Sequence, residues 1–401
     1  MKTMNKKTII TILLALVAMS GQAQLFHPLG LGFNGGERQG ECSHPRMHIE
    51  GDKLYICTSL GLYAKDLTDD NSAWQIVGFE GIPLQDYAHH GSDILALRYN
   101  KGGGFLLLSH DGGQTYEDVT PDLLSHEKYE TLINLAQHPT DPGTLLVSSF
   151  YHGILRSTDF GQTWEQLTEV VFGNSVASFI GFHPAHPFII YNSGEDGIMA
   201  GHIYISYDGG QTWNDHGNSL GFPGDNCVHQ PAFHPINPDR WIAGGEGCVF
   251  LTDDNGQTWS CQNYWGDKPR EAYWYFTAFD DEHPDIVYML GCLGRNGQKN
   301  ACIKMMCSTD GGRSWHESQV MESMRELDRV NDLQQYHDRL IIYTESDIYT
   351  VSKAELIAKS TTAIRSVTSD TATAPTYDLH GRRVEESRHG IFIKNGRKIV
   401  R

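Results

Sequence analysis

Apolar residues in this chain come in short runs, and each run is broken by Gly, Pro, Asn or Asp. Lys53–Thr58, Leu60–Lys65, Thr144–Ser149 and Ile189–Asn192 are examples. Runs of this length, rich in β-branched and aromatic residues and bounded by turn formers, predict β-strands joined by tight turns. One run is longer. Thr8–Met19 is apolar, follows three lysines in Met1–Lys7 and precedes the small residues Ser20-Gly21-Gln22-Ala23. That order predicts a secretory signal peptide over residues 1–24, too short to anchor in a bilayer.

The pattern repeats. Ser109-His-Asp-Gly-Gly-Gln-Thr-Tyr116 returns as Ser157-Thr-Asp-Phe-Gly-Gln-Thr-Trp164, Ser206-Tyr-Asp-Gly-Gly-Gln-Thr-Trp213, Thr252-Asp-Asp-Asn-Gly-Gln-Thr-Trp259 and Ser308-Thr-Asp-Gly-Gly-Arg-Ser-Trp315. The aspartates 111, 159, 208, 254 and 310 stand 48, 49, 46 and 56 residues apart. A second phrase precedes four of the five: His138-Pro-Thr-Asp-Pro, His183-Pro-Ala-His-Pro, His234-Pro-Ile-Asn-Pro and the shortened Glu282-His-Pro-Asp. Each lies between two apolar runs and reads as a hairpin turn. A period near 48 suits a four-stranded blade better than a helical pair. Within a unit the expected order is strand A, the His-Pro turn, strand B, a variable loop, strand C, the Asp phrase and strand D.

The Asp phrase has a physical logic. A short carboxylate accepts the amides of the loop that follows it. Glycine permits positive φ, and the Trp or Tyr ring closes over the hairpin. Asp111, Asp159, Asp208, Asp254 and Asp310 are therefore expected to be structural. The phrase resembles the Asp-box, or bacterial neuraminidase repeat. Together with His-Pro-x-x-Pro it is similar to the seven-bladed Asp-box propellers of the sortilin, xyloglucan-hydrolase and photosystem-assembly-factor type. The resemblance implies an all-β fold and leaves hydrolase, receptor and scaffold roles open, because such propellers serve all three.

Two weaker units flank the five. Met47–Val77 ends in a degraded phrase, Asp69-Asp-Asn-Ser-Ala-Trp74, and Asp332–Ser352 supplies three strands with no phrase. Seven units follow, at 43–79, 82–120, 128–168, 174–216, 226–263, 270–319 and 328–358. The 336 residues of 25–360 allow 48 for each. Closure of the ring is expected from the segment after Gln24 pairing with the last blade. The propeller is assigned 25–359, a Ser/Thr/Ala-rich linker 360–375 and a short β-hairpin tail 376–401. Asn395-Gly396 is the turn signal in that tail. The tail resembles the end of the sorting domains of type IX secretion cargo in Bacteroidetes, which implies contact with export machinery.

Charge narrows the partners. Thirty-one basic against 49 acidic residues leave −18, which argues against nucleic acid and against anionic membrane surfaces. Eight cysteines contain no Cys-x-x-Cys pair, so no zinc spacing is present. Cys302–Cys307 and Cys227–Cys248 are the pairs considered for disulfides. No cofactor, no metal and a monomer are expected.

The variable loops between strands D and A, and between B and C, are the expected functional face. They offer Arg46, Tyr151, His152, His229, Trp265, Arg270, Tyr273, Trp274, Arg295 and Arg329 as ligand-binding candidates. Aromatic platforms with polar neighbours suit a sugar. Glu195, Glu246 and Glu271 are the candidate catalytic carboxylates, since glycoside hydrolysis needs a facing pair. The expected role is an exported propeller recognising a glycan or glycosylated surface. The alternatives are a glycoside hydrolase or polysaccharide lyase at that face, and a protein-assembly scaffold.

Overall fold

The computed structural model describes residues 25–32, 45–98, 105–125, 132–149, 152–168, 179–195, 201–216, 228–263, 272–293, 302–320, 330–362, 376–378, 383–384, 391–394 and 397–400. The fold is a seven-bladed β-propeller. Each blade is a four-stranded antiparallel sheet. Blade 1 runs through Met47–Glu50, Lys53–Thr58, Gly61–Asp66 and Gln75–Gly78. The inner strands of blades 2 to 7 are Leu84–His90, Leu132–Gln137, Phe179–Phe182, Ala232–Phe233, Ala272–Phe279 and Val330–Tyr336. His27–Pro28 is the fourth strand of blade 7, pairing His27 with Thr350 and Pro28 with Tyr349. The first described residues thus complete the last blade, and the ring closes as the sequence predicts.

The apolar core is distributed round the ring. The seven buried clusters of the described residues each lie between two neighbouring blades. Tyr191 and Ile205 of blade 4 meet Trp241 and Phe250 of blade 5. Ile242 and Leu251 of blade 5 meet Trp274 and Met289 of blade 6. Tyr288 and Leu290 of blade 6 meet Leu340 and Ile342 of blade 7. Both faces of a middle strand are covered, which is why these strands read as continuous apolar runs such as Leu145–Ser149.

The repeated Asp phrase closes as one turn five times. In blade 2, Ser109 Oγ donates to Asp111 Oδ1 at 2.9 Å, and the Thr115 amide and hydroxyl donate to the same carboxylate at 2.8 and 2.6 Å. The Asp159, Asp208, Asp254 and Asp310 carboxylates are held alike. Trp164, Trp213 and Trp259 each donate from Nε1 to the carbonyl of the glycine three residues before them. That glycine is also a contact point. Gly210 has φ +91, and a Cβ there would lie 2.4 Å from Leu167 of blade 3. In blade 1 the degraded phrase is rescued by Lys65, whose buried ammonium donates to the carbonyls of Asp70 and Ser72.

The His-Pro turns have a common cap, and here one expectation needs correction. His138, His183 and His234 each accept two backbone amides at Nδ1, for example Thr140 and Asp141 at 3.3 and 3.0 Å. In blade 6 the position is held by Asp280, not by His283. Asp280 Oδ1 accepts the amides of Glu282 and His283 at 3.0 and 2.8 Å. The blade 6 phrase is therefore full length, with Asp in place of the first His and Pro284 in place of the second Pro. A carboxylate can make the cap because it needs only two acceptor contacts. Lys353 and Tyr288 join the same carboxylate at 3.1 and 2.8 Å.

Two further expectations change. Cys302 and Cys307 lie on one strand, Cys302–Ser308. Five residues of extended chain hold them roughly 16 Å apart, so they do not pair. Cys248 and Cys307 form no disulfide among the described residues, and Cys227 lies outside them. A ten-residue helix, Lys353–Thr362, follows the last strand of blade 7. The tail is a four-stranded sheet rather than a lone hairpin, with Lys394 and Arg397 flanking the expected Asn-Gly turn.

Candidate functional site

The channel is lined by the inner strands. Those of blades 2, 6 and 7 shift register near their starts, between Leu84 and Asp86, Trp274 and Phe276, and Val330 and Asp332. An extra residue in one strand re-aims the next side chain. Asp86 and Asp332 follow such shifts, and each Oδ1 accepts the next backbone amide at 2.8 Å. The two carboxylates then grip blade 1 from both sides. Asp86 Oδ1 lies 2.7 Å from His48 Nε2. Asp332 Oδ2 accepts the Met47 amide at 3.0 Å and lies 3.5 Å from Arg46 Nε.

Arg46 reaches further. Its Nη2 donates to Gln230 Oε1 of blade 5 at 2.6 Å. Its guanidinium carbon lies 5.7 Å from the centre of the Phe276 ring of blade 6. A side chain of blade 1 thus touches blades 5, 6 and 7, and so crosses the channel. Arg46 Nη1 is enclosed and has no hydrogen-bond partner among the described residues.

Beside this strut lies a cavity of about 230 Å³. Arg46, Gln230, Thr277, Asp281, Asp332, Gln334 and Gln335 supply its polar wall. Phe233, Phe276 and Phe279 complete the wall, the last two as buried core residues. Gln335 donates from Nε2 to the Phe279 carbonyl at 2.6 Å, while its Oε1 is sealed from solvent with no partner among the described residues. Burial raises the Asp332 carboxyl above its ordinary range, against the pull of Arg46 and the two amides. Burial likewise raises Asp281. Burial pulls His48 down, but the Asp86 hydrogen bond and charge outweigh it and the net shift is upward. Among the described residues no group of His, Cys, Asp and Glu has the geometry to hold a metal ion.

Of the candidate residues that are described, Arg46 alone lines this cavity. Trp274 is fully buried between blades 5 and 6 and belongs to the core. It is seated against two glycines: a Cβ at Gly244 would lie 2.3 Å from the Trp274 carbonyl, and one at Gly291 2.7 Å from Cε3 of its ring. This removes Trp274 as an exposed platform. Tyr273 is half-buried, packs beside Tyr275 at 6.4 Å and bridges Glu246 through the backbone. His229 is buried against Tyr275 at 4.8 Å. His152 is half-buried at a turn tied to Ser149. Glu195 ends a strand opposite Gly201, and its side chain lies outside the described set. Tyr151, Trp265, Arg270, Glu271, Arg295 and Arg329 lie outside the described residues. Gln230, Phe276, Asp332 and Gln335 went unnoticed in the sequence. The only available signal was a polar residue inside an apolar inner strand, as in Val330-Asn-Asp-Leu-Gln-Gln335.

Comparison with known proteins follows the same architecture. The family model for sortilin, neurotensin receptor 3, matches residues 201–389, just under half of the chain. A search of the curated proteins finds no match. The GH74 xyloglucanase from Xanthomonas campestris superposes with a TM-score of 0.58 at 17% identity, over 81% of this chain and 53% of that one. YCF48 bound to D1 peptide gives 0.53 at 15% identity, over 78% and 93%. YCF48 from Cyanidioschyzon merolae gives 0.55 at 11% identity, over 82% and 99%. The chain spans about half the length of the xyloglucanase. At these identities the likeness is one of fold. Among the described residues no helix is long and apolar enough to cross a membrane.

Proposed function

We propose that this protein is an exported recognition propeller whose inner-strand cavity binds a neutral glycan. The observation that carries the reading is the cavity wall itself: Gln230, Thr277, Gln334 and Gln335 are uncharged donors and acceptors set beside the buried Arg46–Asp332 pair. A sugar hydroxyl donates and accepts at once, so it suits a wall of amides and a hydroxyl. Asp281 and Asp332 in the wall, and −18 over the whole chain, disfavour acidic sugars. The xyloglucanase likeness fits this class of ligand. The proposed location moves from the variable loops to the channel.

Catalysis is the weaker reading. Asp332 is engaged by Arg46 and two amides, which leaves Asp281 as the exposed carboxylate at the cavity. A glycan panel on the full chain tests both, with binding and product release followed together. Binding without products, weakened at least tenfold by Gln335→Leu, is the expected result. Products that vanish in Asp281→Asn make it a hydrolase or lyase. Silence in both channels sinks the glycan reading and favours a protein ligand or scaffold.

A further inference from the structure

We infer that the channel cavity is an end-on site, which takes the terminal residue of a glycan chain and excludes internal residues. The inference rests on the glycan reading above and adds the mode of engagement. An internal residue needs two exits, because the chain continues on both sides of it. Arg46 blocks one of them. It runs from blade 1 to Gln230 of blade 5 and is pinned between Asp332 and the Phe276 ring, so the channel is spanned beside the cavity. Swinging it aside would strip Asp332, itself fully enclosed, of its cation. The strut is therefore a fixed wall rather than a gate.

Volume points the same way. Pockets for drug-sized ligands run from ~300 Å³ upward, and this cavity is about 230 Å³, room for one ring and a few waters.

The test uses cello- and xyloglucan-derived oligosaccharides of increasing length, each unmodified, with its reducing end reduced to the alditol, or with its non-reducing terminal hydroxyl methylated. Binding to the full chain is followed by calorimetry. End-on binding predicts an affinity that levels off after the first few residues and falls at least tenfold when one particular end is blocked. Gln335→Leu, which leaves the Arg46 strut untouched, should weaken every unblocked ligand to a similar degree. Affinity that climbs steadily with length and ignores both blocks overturns the end-on mode while leaving glycan recognition standing. Binding by none of the oligosaccharides overturns the glycan reading itself.

Discussion

Arg46 of blade 1 donates to Gln230 of blade 5 over 2.6 Å, although 184 residues separate them. Neither residue lies in a repeated phrase, and the contact exists only because the ring closes. Arg46→Met should remove the strut and leave Asp332 buried without a cation. Breaking a buried pair from one side costs about 3–5 kcal/mol, so the urea midpoint should fall sharply. Arg46→Met combined with Asp332→Asn, which removes the charge and keeps an oxygen to accept a backbone amide, should recover part of the loss. A single variant as stable as the parent would show that the strut bears no energetic weight.

Trp274→Ala should act on stability before it acts on ligand. The ring is fully buried, and Trp→Ala in a core costs about 3–5 kcal/mol. Thermal unfolding should therefore drop by many degrees. Gln335→Leu should change unfolding little and binding greatly. An unchanged melting temperature in Trp274→Ala would contradict the packing between Gly244 and Gly291.

The paired glycines of the Asp turn should respond unequally to alanine. Gly209 and Gly210 both have positive φ, +71 and +91, but a Cβ at Gly209 meets open space and one at Gly210 meets Leu167 at 2.4 Å. Left-handed backbone costs about 1–2 kcal/mol at either site, and forced overpacking adds ~1–3 kcal/mol at Gly210 alone. Denaturation of the two single variants measures the difference directly. Equal losses would mean that the blade 3 contact is slack.

Acid should weaken the ring in two stages. Burial depresses the His183 and His234 pKa values, and their Nδ1 atoms accept amides only when unprotonated. The folded state then binds fewer protons than the unfolded one, so stability is full above about 6.5 and falls as pH drops below it. His234→Asn, which keeps an acceptor and cannot titrate, should flatten part of that slope. The second stage belongs to the repeated turns. Hydrogen bonds from Thr115 pull Asp111 to about 2, and those from Thr212 pull Asp208 to about 2. Burial opposes the bonds from Ser314 at Asp310, which still comes to about 2. Their stabilisation is present above the ordinary carboxylate range near 4 and is lost as pH falls toward 2. Unfolding midpoints from pH 8 to pH 2 record both steps. A profile flat down to pH 4 would remove the histidine caps from the account.

The propeller, its seven blades and its closure by the segment after Gln24 were legible in the sequence, because each blade is a local unit whose turns recur. Asp111 and its four counterparts sit where the repeat says, held by partners two to four residues away. The same locality misled at blade 6, where His283-Pro284 matches the phrase by identity while Asp280 fills the capping position by chemistry. Burial was beyond local reading. Trp274 and Tyr273 are neighbours in sequence, yet one is sealed between two blades and the other is half-buried, because successive side chains of a strand point to opposite faces and only the closed ring decides what covers each. The channel site was invisible for a related reason. Arg46, Gln230, Asp332 and Gln335 are scattered over three blades and meet only across the axis of the closed ring. Contacts within a blade are set by neighbours along the chain, and so they are written in the repeat. Contacts across the channel depend on how seven blades close around one axis, and tertiary structure alone decides them.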